Sequence, residues 1–283
     1  MYRKSFTENV DVIKPKLQAV INCSRQIRNS VAFRRVLEII LAVGNFLNSF
    51  NRPKTVHGFK LTSLTRLADT KSSKRSTFTL CDYIRKSVMR PPMCEHCVEV
   101  FQEDCDVDSG DLLILYSEQP IKVTPEVGDL KAAAAVGELG GLLEEIRQLR
   151  NGMVKIEVEI NCEIDNSVIS ANSVVDLDVV ERQIAAEKFF KDSMSSFAHL
   201  EGGKLVELEK LFEVCIDEYR RTLVYFGEVD PSLDVSILKK SIETDVDKPN
   251  AEKEQSLFTI IDKFVSKVET SPTPLPVIIF MFF

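Results

Sequence analysis

The chain has 283 residues, 44% of them apolar and 28% charged, enough apolar material for one large or two small cored domains and a balance typical of a soluble protein. Met1-Tyr2-Arg3-Lys4 leads straight into a polar helical pattern, so no secretory signal is expected, and seven scattered cysteines point to reduced thiols in a cytoplasmic setting. The net charge of −7 conceals an asymmetry: residues 1–90 carry 18 Lys and Arg against 5 Asp and Glu, a net of +13, and the remainder is −20. A basic third of this kind suits an acidic partner surface, while nucleic acid and anionic lipid fit the same charge, and so does mutual complementation of the two halves.

Residues 5–29 are predicted helical, with Phe6, Val10, Ile13, Leu17, Val20, Ile21 and Ile27 near the helical period and a bend or helix start at Pro15. Val31–Leu47 is apolar on nearly all sides, which predicts a helix in the middle of a bundle, with Ser30 as its N-cap. Arg34, Arg35 and Glu38 interrupt it, so it is not read as a membrane span. It is predicted to end at Gly44-Asn45-Phe46-Leu47-Asn48, where Gly and Asn tolerate positive φ. A basic loop follows, then Gly58-Phe59 and a short helix with Leu61, Leu64 and Leu67 on one face.

Thr77 is a candidate cap for the next helix, which carries Phe78, Leu80, Cys81, Ile84 and Val88 and is ended by Pro91-Pro92. Leu112–Tyr116 is equally compatible with a strand or a buried helical turn. Leu130–Ile160 carries Leu139, Leu142, Ile146, Leu149, Met153, Ile156 and Ile160 in alternating steps of three and four, a heptad seam whose start is weakened by Gly137, Gly140 and Gly141. Residues 161–178 read as a connection. A second long helical pattern then runs from Val179 through Ile184, Phe189, Phe190, Phe197, Leu200, Leu205, Leu208, Leu211, Phe212, Cys215 and Tyr219 to Leu223, with a break or kink at Gly202-Gly203. The pair predicts two antiparallel helices, and Leu257, Phe258, Ile261, Phe264 and Val265 form a last amphipathic helix. The tail, residues 271–283, ends in an apolar run far too short for a bilayer. The fold class is therefore all-α: an elongated bundle with long, antiparallel, coiled-coil-like helices.

No catalytic constellation emerges. Phosphate-binding glycine loop, nucleophile elbow and H-E-x-x-H are all missing from the sequence, so neither an enzyme nor a cofactor is expected. Cys94, His96, Cys97 and Cys105 invite a zinc reading, but no second C-x-x-C pair accompanies them, and metal is not expected.

The order helix, Gly44-Asn45-x-x-Asn48, variable loop, Gly58-Phe59-x-Leu61-x-x-Leu64-x-x-Leu67 and Asp69-Thr70-Lys71-Ser72-Ser73 resembles the formin homology 2 domain of formins. Tyr225-Phe226-Gly227-Glu228 is similar to the turn that follows a long helix in that family. The resemblance assigns 1–29 to the end of the coiled-coil region, 30–129 to the post and 130–270 to long C-terminal helices. It implies actin as partner, a place in the cytoskeleton, and regulation of filament nucleation or elongation at barbed ends. It places Lys71, with neighbouring Lys60, Arg66, Lys74 and Arg75, against actin. Gly44, Asn45 and Asn48, with Gly58 and Phe59, would form a dimer pocket for the lasso of a full-length formin subunit. The chain has no tryptophan to serve as a lasso anchor, and no knob or proline-rich profilin-recruiting segment is recognisable in it, so a processive ring dimer is not expected from this chain alone. The alternative is a basic helical scaffold for nucleic acid or anionic membrane. Against it, the aromatics among the basic residues, Phe33, Phe46 and Phe59, read as buried, so neither nucleic acid nor a membrane span is assigned.

Overall fold

The computed structural model describes residues 2–49, 55–72, 78–89, 121–162, 177–232, 234–246 and 256–270. Lys74, Arg75, the Cys94–Cys105 cluster, the 112–116 run and the 271–283 tail lie outside the described residues. Among those described, the regular structure is helical throughout. The elements are α1 (Tyr2–Asn29), α2 (Val31–Ser49), a 3-10 helix (Leu61–Ala68), α3 (Leu80–Met89), α4 (Leu130–Val136), α5 (Leu139–Asn161), α6 (Leu177–Tyr225), α7 (Val235–Val246) and α8 (Leu257–Thr270).

Three helices build the long end. Arg150 of α5 pairs with Glu209 of α6, and Met153 lies opposite Gly202, so α5 and α6 are antiparallel, as the heptad pattern predicts. Helix α1 runs parallel to α6: Phe6 meets the Phe197 ring edge-on at 5.8 Å, while Arg25 and Arg28 reach Glu218. Between these contacts Ile13, Leu17 and Ile21 of α1, Leu142, Ile146 and Leu149 of α5, and Leu205, Leu208 and Phe212 of α6 are buried. Each such side chain contributes about 1.5–3 kcal/mol. That is enough to offset the roughly 3 kcal/mol cost of Pro15, through which α1 continues without a new start.

The predicted Leu130–Ile160 helix is two helices. Gly137 adopts φ +69° and donates its N–H to Ala134 O at 3.1 Å, and Glu138 is extended, so the chain turns a corner that a side chain at 137 would strain. Gly140 and Gly141 stay helical, and the seam is buried as far as Met153 but only half-buried at Ile156 and Ile160. The expected break at Gly202-Gly203 is not present. The space opposite Gly202 belongs to Met153, and packing carries α6 through as one helix of 49 residues. Its periodic apolar residues Ile184, Phe189, Phe190 and Leu200 are nevertheless exposed, Phe189 by 76%. Contact with α1 opens near Phe6 and Phe197, so the turns of α6 that carry Ile184, Phe189 and Phe190 lie beyond α1, while Leu200 is exposed within the stretch that α1 flanks.

The other end is a knot of short elements around α8, which packs on α4, the 3-10 helix and α3. Phe258 is 2% exposed and stacks obliquely on Tyr219 at 5.5 Å. Thr259 donates to Ala134 O, and the Glu269 carboxylate accepts the N–H groups of Val123 and Thr124 together with the Thr124 hydroxyl. Helix α2 lies at the edge of this knot, not at its centre. Ala32, Phe33, Val36, Ile39, Ile40 and Val43 are buried, while Val31 is 68% and Phe46 40% exposed. Its N-terminus is capped as predicted: Ser30 Oγ accepts the Phe33 N–H at 2.9 Å. Glu126 adds a second acceptor, taking the Ser30 hydroxyl at 2.6 Å and the Ala32 N–H at 3.0 Å. Gly44 and Asn45 are helical rather than terminal, since α2 continues to Ser49 and no positive φ occurs there among the described residues.

The start of α3 differs from the expected one, and α7 is not among the expected helices. Thr77 lies outside the described residues, and the cap of α3 is Thr79, which exchanges hydrogen bonds with Asp82 three residues on, a reciprocal capping box. Helix α7 carries no strong periodic stripe, and its start is set by Asp234, which accepts the Ser236 N–H at 2.7 Å. Cys23 and Cys215 are buried thiols, each pushed up to about 12, for Cys23 by burial and nearby Asp129 and Asp262 and for Cys215 by burial alone, which leaves them inert at neutral pH.

Burial works against the charge of Glu218, but hydrogen bonds from Arg28 and Arg25 outweigh it and hold the carboxyl below its usual value of 4.5. A depressed folded-state pKa adds stability that is complete above the unfolded value and is lost as pH falls through the folded one. Glu218→Gln is therefore expected to lower unfolding free energy by about 1–3 kcal/mol at pH 7, with the gap closing below pH 4.5, as read by urea titration across pH. Phe258→Ala is expected to cost about 3–5 kcal/mol in the same assay.

Candidate partner-binding surface

Leucines spaced by three are out of step with an α-helix, where they drift around the axis, but they eclipse on a 3-10 helix, which has three residues per turn. Leu61–Ala68 is accordingly a 3-10 helix. Leu61 and Leu64 are each 2% exposed, Leu67 is half-buried, and the opposite side carries the exposed Arg66. Lys60 sits at the N-cap in an extended conformation with its side chain in solvent and makes no side-chain cap bond. The first free N–H, that of Leu61, is taken by the carboxylate of Glu228 from the far end of the chain.

The segment before this helix is tied back to α2. Asn45 donates from Nδ2 to Val56 O and accepts the Val56 N–H on Oδ1, both at 2.9 Å. A side-chain amide that pairs with both polar groups of one residue substitutes for a strand partner and fixes residues 55–60 over the last turns of the helix. Phe59 packs half-buried against the core, and Val56 remains 50% exposed. Among the described residues, Gly44 and Gly58 both border open space: a Cβ at either would meet no atom within 4 Å. Asn48 is exposed on the final turn of α2.

After the 3-10 helix the chain doubles back. Asp69 and Thr70 donate their N–H groups to Arg66 O, and an isolated bridge then pairs Lys71 with Thr79. Its two hydrogen bonds, Ser72 N–H to Phe78 O and Leu80 N–H to Thr70 O, are both 2.8 Å. Ser72 and Phe78 are buried beneath it, so exposed Lys71 stands on a fixed strip of backbone rather than on a free loop.

Of the ten residues singled out from the sequence, eight are described. Lys60, Arg66 and Lys71 are all exposed along one continuous segment, with Asp69 the acidic residue between them. Gly44, Asn45, Gly58 and Phe59 are brought together by the Asn45–Val56 clamp, and Asn48 follows on α2. Lys74 and Arg75 lie outside the described residues. Sequence reasoning missed Glu228 and Val56 as parts of this surface; the first reaches a backbone N–H 167 residues away, the second is held by its own backbone groups against Asn45, and neither leaves a side-chain pattern in the sequence. Among the described residues, no group of three or more His, Cys, Asp or Glu is placed to hold a metal ion, and no helix is long and apolar enough to cross a membrane.

Comparison with known proteins agrees with this architecture. The family described as Formin Homology 2 Domain matches residues 1–243. Disheveled-associated activator of morphogenesis 2 of Homo sapiens is 28% identical over 236 residues, 82% of this chain and 18% of that protein. Disheveled-associated activator of morphogenesis 1 of Mus musculus is 30% identical over 161 residues, 56% of this chain and 12% of that protein. Formin-like protein 3 of Danio rerio is 46% identical over a shorter stretch of 80 residues, 28% of this chain and 7% of that protein. The chain thus spans less than a fifth of the length of the curated relatives it matches. With the family matched across most of its length, the chain belongs to the formin homology 2 family.

Proposed function

We propose that this chain binds actin and modulates filament assembly at barbed ends, using the basic segment Lys60–Lys71 as its contact. The observation that carries the reading is the presentation of that segment. Three cations stand exposed on backbone held by the Glu228 bond, the Leu61 and Leu64 anchors and the Lys71–Thr79 bridge. Cations held on ordered backbone meet an acidic surface without the entropy cost of fixing a loop, and a lysine supplies a compact, strongly hydrated point charge for a carboxylate. Lys71 is the central contact, Lys60 and Arg66 flank it, and Lys74 and Arg75 continue the same basic run in sequence.

The second half of the proposal is dimerisation through α2. The open ground beside Gly44 and Gly58, with Asn45, Asn48 and Phe59 around it, would receive a lasso segment from a full-length formin subunit. Through this pairing the chain would tune a complete partner. The three segments 1–29, 30–129 and 130–270 act in this reading as coiled-coil end, post and returning helices of one domain.

The test is barbed-end elongation of labelled actin filaments with the purified chain titrated in. Elongation is expected to slow, and Lys71→Glu is expected to raise the half-effective concentration about tenfold, the equivalent of one charge contact. An unchanged titration curve for Lys71→Glu would overturn the site, and no effect of the parent chain would overturn the function.

A further inference from the structure

Helix α6 ends in a turn whose three residues each do a separate job at the same junction. Phe226 packs edge-on against Phe33 of α2 at 5.8 Å. Gly227, at φ +69°, closes a Schellman motif: its N–H goes to Val224 O at 3.0 Å, and the Glu228 N–H goes to Leu223 O at 2.9 Å. That left-handed residue turns the chain back so that the half-buried Glu228 carboxylate meets the Leu61 N–H, the first unsatisfied donor of the 3-10 helix. The contact joins positions 167 residues apart. Lys60 supplies no side-chain cap of its own at this helix start.

We infer that Glu228 is a positioning residue for the partner-binding segment: it fixes the start of the 3-10 helix, and with it the directions in which Lys60, Arg66 and Lys71 are presented. The inference rests on the actin reading of that segment. Two features make the carboxylate suited to the task. Its charge strengthens a bond to a backbone N–H beyond what a neutral acceptor gives, and it favours the positive end of the short helix. Its length matters more, because the Schellman turn sets the backbone at 228 at a fixed distance from Leu61, and an aspartate would fall one methylene short.

The experiment compares three variants of the full chain by amide hydrogen exchange and by the elongation assay. Glu228→Gln keeps reach and an acceptor oxygen, Glu228→Asp keeps charge and loses reach, and Glu228→Ala loses both. Exchange at the Leu61 amide is expected to rise about tenfold in the Asp and Ala variants and to stay within about threefold of the parent in Gln. Half-effective concentration should follow the same order, with amides around Arg28 unchanged as the control for folding. Unchanged Leu61 exchange in Glu228→Asp overturns the inference and leaves the actin reading in place. Raised exchange with parental titration curves in both Asp and Ala also overturns it. A parent chain without effect on elongation is a failure of the actin reading itself, and removes the positioning role while the exchange data still report the bond.

Discussion

The stripe along α6 is too long for α6 to bury by folding on itself: 49 residues make a rod of about 74 Å. Everything else at that end follows from covering it. Helix α5 lies antiparallel along it and α1 parallel, in contact with α5 through Lys16 and Glu145 and pinned to α6 by Phe6 on Phe197 and by Arg25 and Arg28 on Glu218. Glu218 is 6% exposed, and a carboxylate that deep is tolerated because two guanidinium groups share it. The clamp also fixes the sliding register of two helices whose apolar contacts alone would permit shifts of a turn.

The short-element end is held differently. Its strongest cross-links are carboxylates that accept backbone N–H groups of remote segments. Glu126 does so for α2, Glu269 for residues 123–124 and Glu228 for the 3-10 helix. In each case the donor is a backbone N–H that no helix satisfies, and a charged acceptor is worth about twice a neutral one. Long-range capping of this kind lets short helices stand at angles that local caps would not enforce.

These two modes of cohesion explain what the sequence disclosed. Periodicity is a local property, so the α1, α5 and α6 helices, the Ser30 cap and the leucine triplet were all visible, and the triplet spacing even suits the 3-10 geometry it adopts. The family motifs were legible for the same reason, being contiguous. Exposure is not local: Phe189 and Phe190 have the spacing of core residues on a turn that lies beyond α1, and α2 looked central because its apolar count is high although one face is open. The corner at Gly137 and the unbroken passage through Gly202 differ in backbone conformation, one glycine standing at φ +69° and the other inside a helix, which a sequence does not record. Glu228 was noticed as part of a motif, but its bond to Leu61 spans most of the chain.

Helix α8 begins at Leu257, while the family match stops at residue 243. Yet Phe258, Ile261, Phe264 and Val265 are all buried, and the helix touches α3, α4 and the 3-10 helix that bears the basic segment. The boundary drawn by sequence similarity and the boundary drawn by cohesion therefore disagree by a whole helix. A polypeptide cut at the former would keep every recognisable motif and lose a buried helix that packs on α3, α4 and the 3-10 helix. Sequence recognition and cohesion thus belong to different lengths of the same chain.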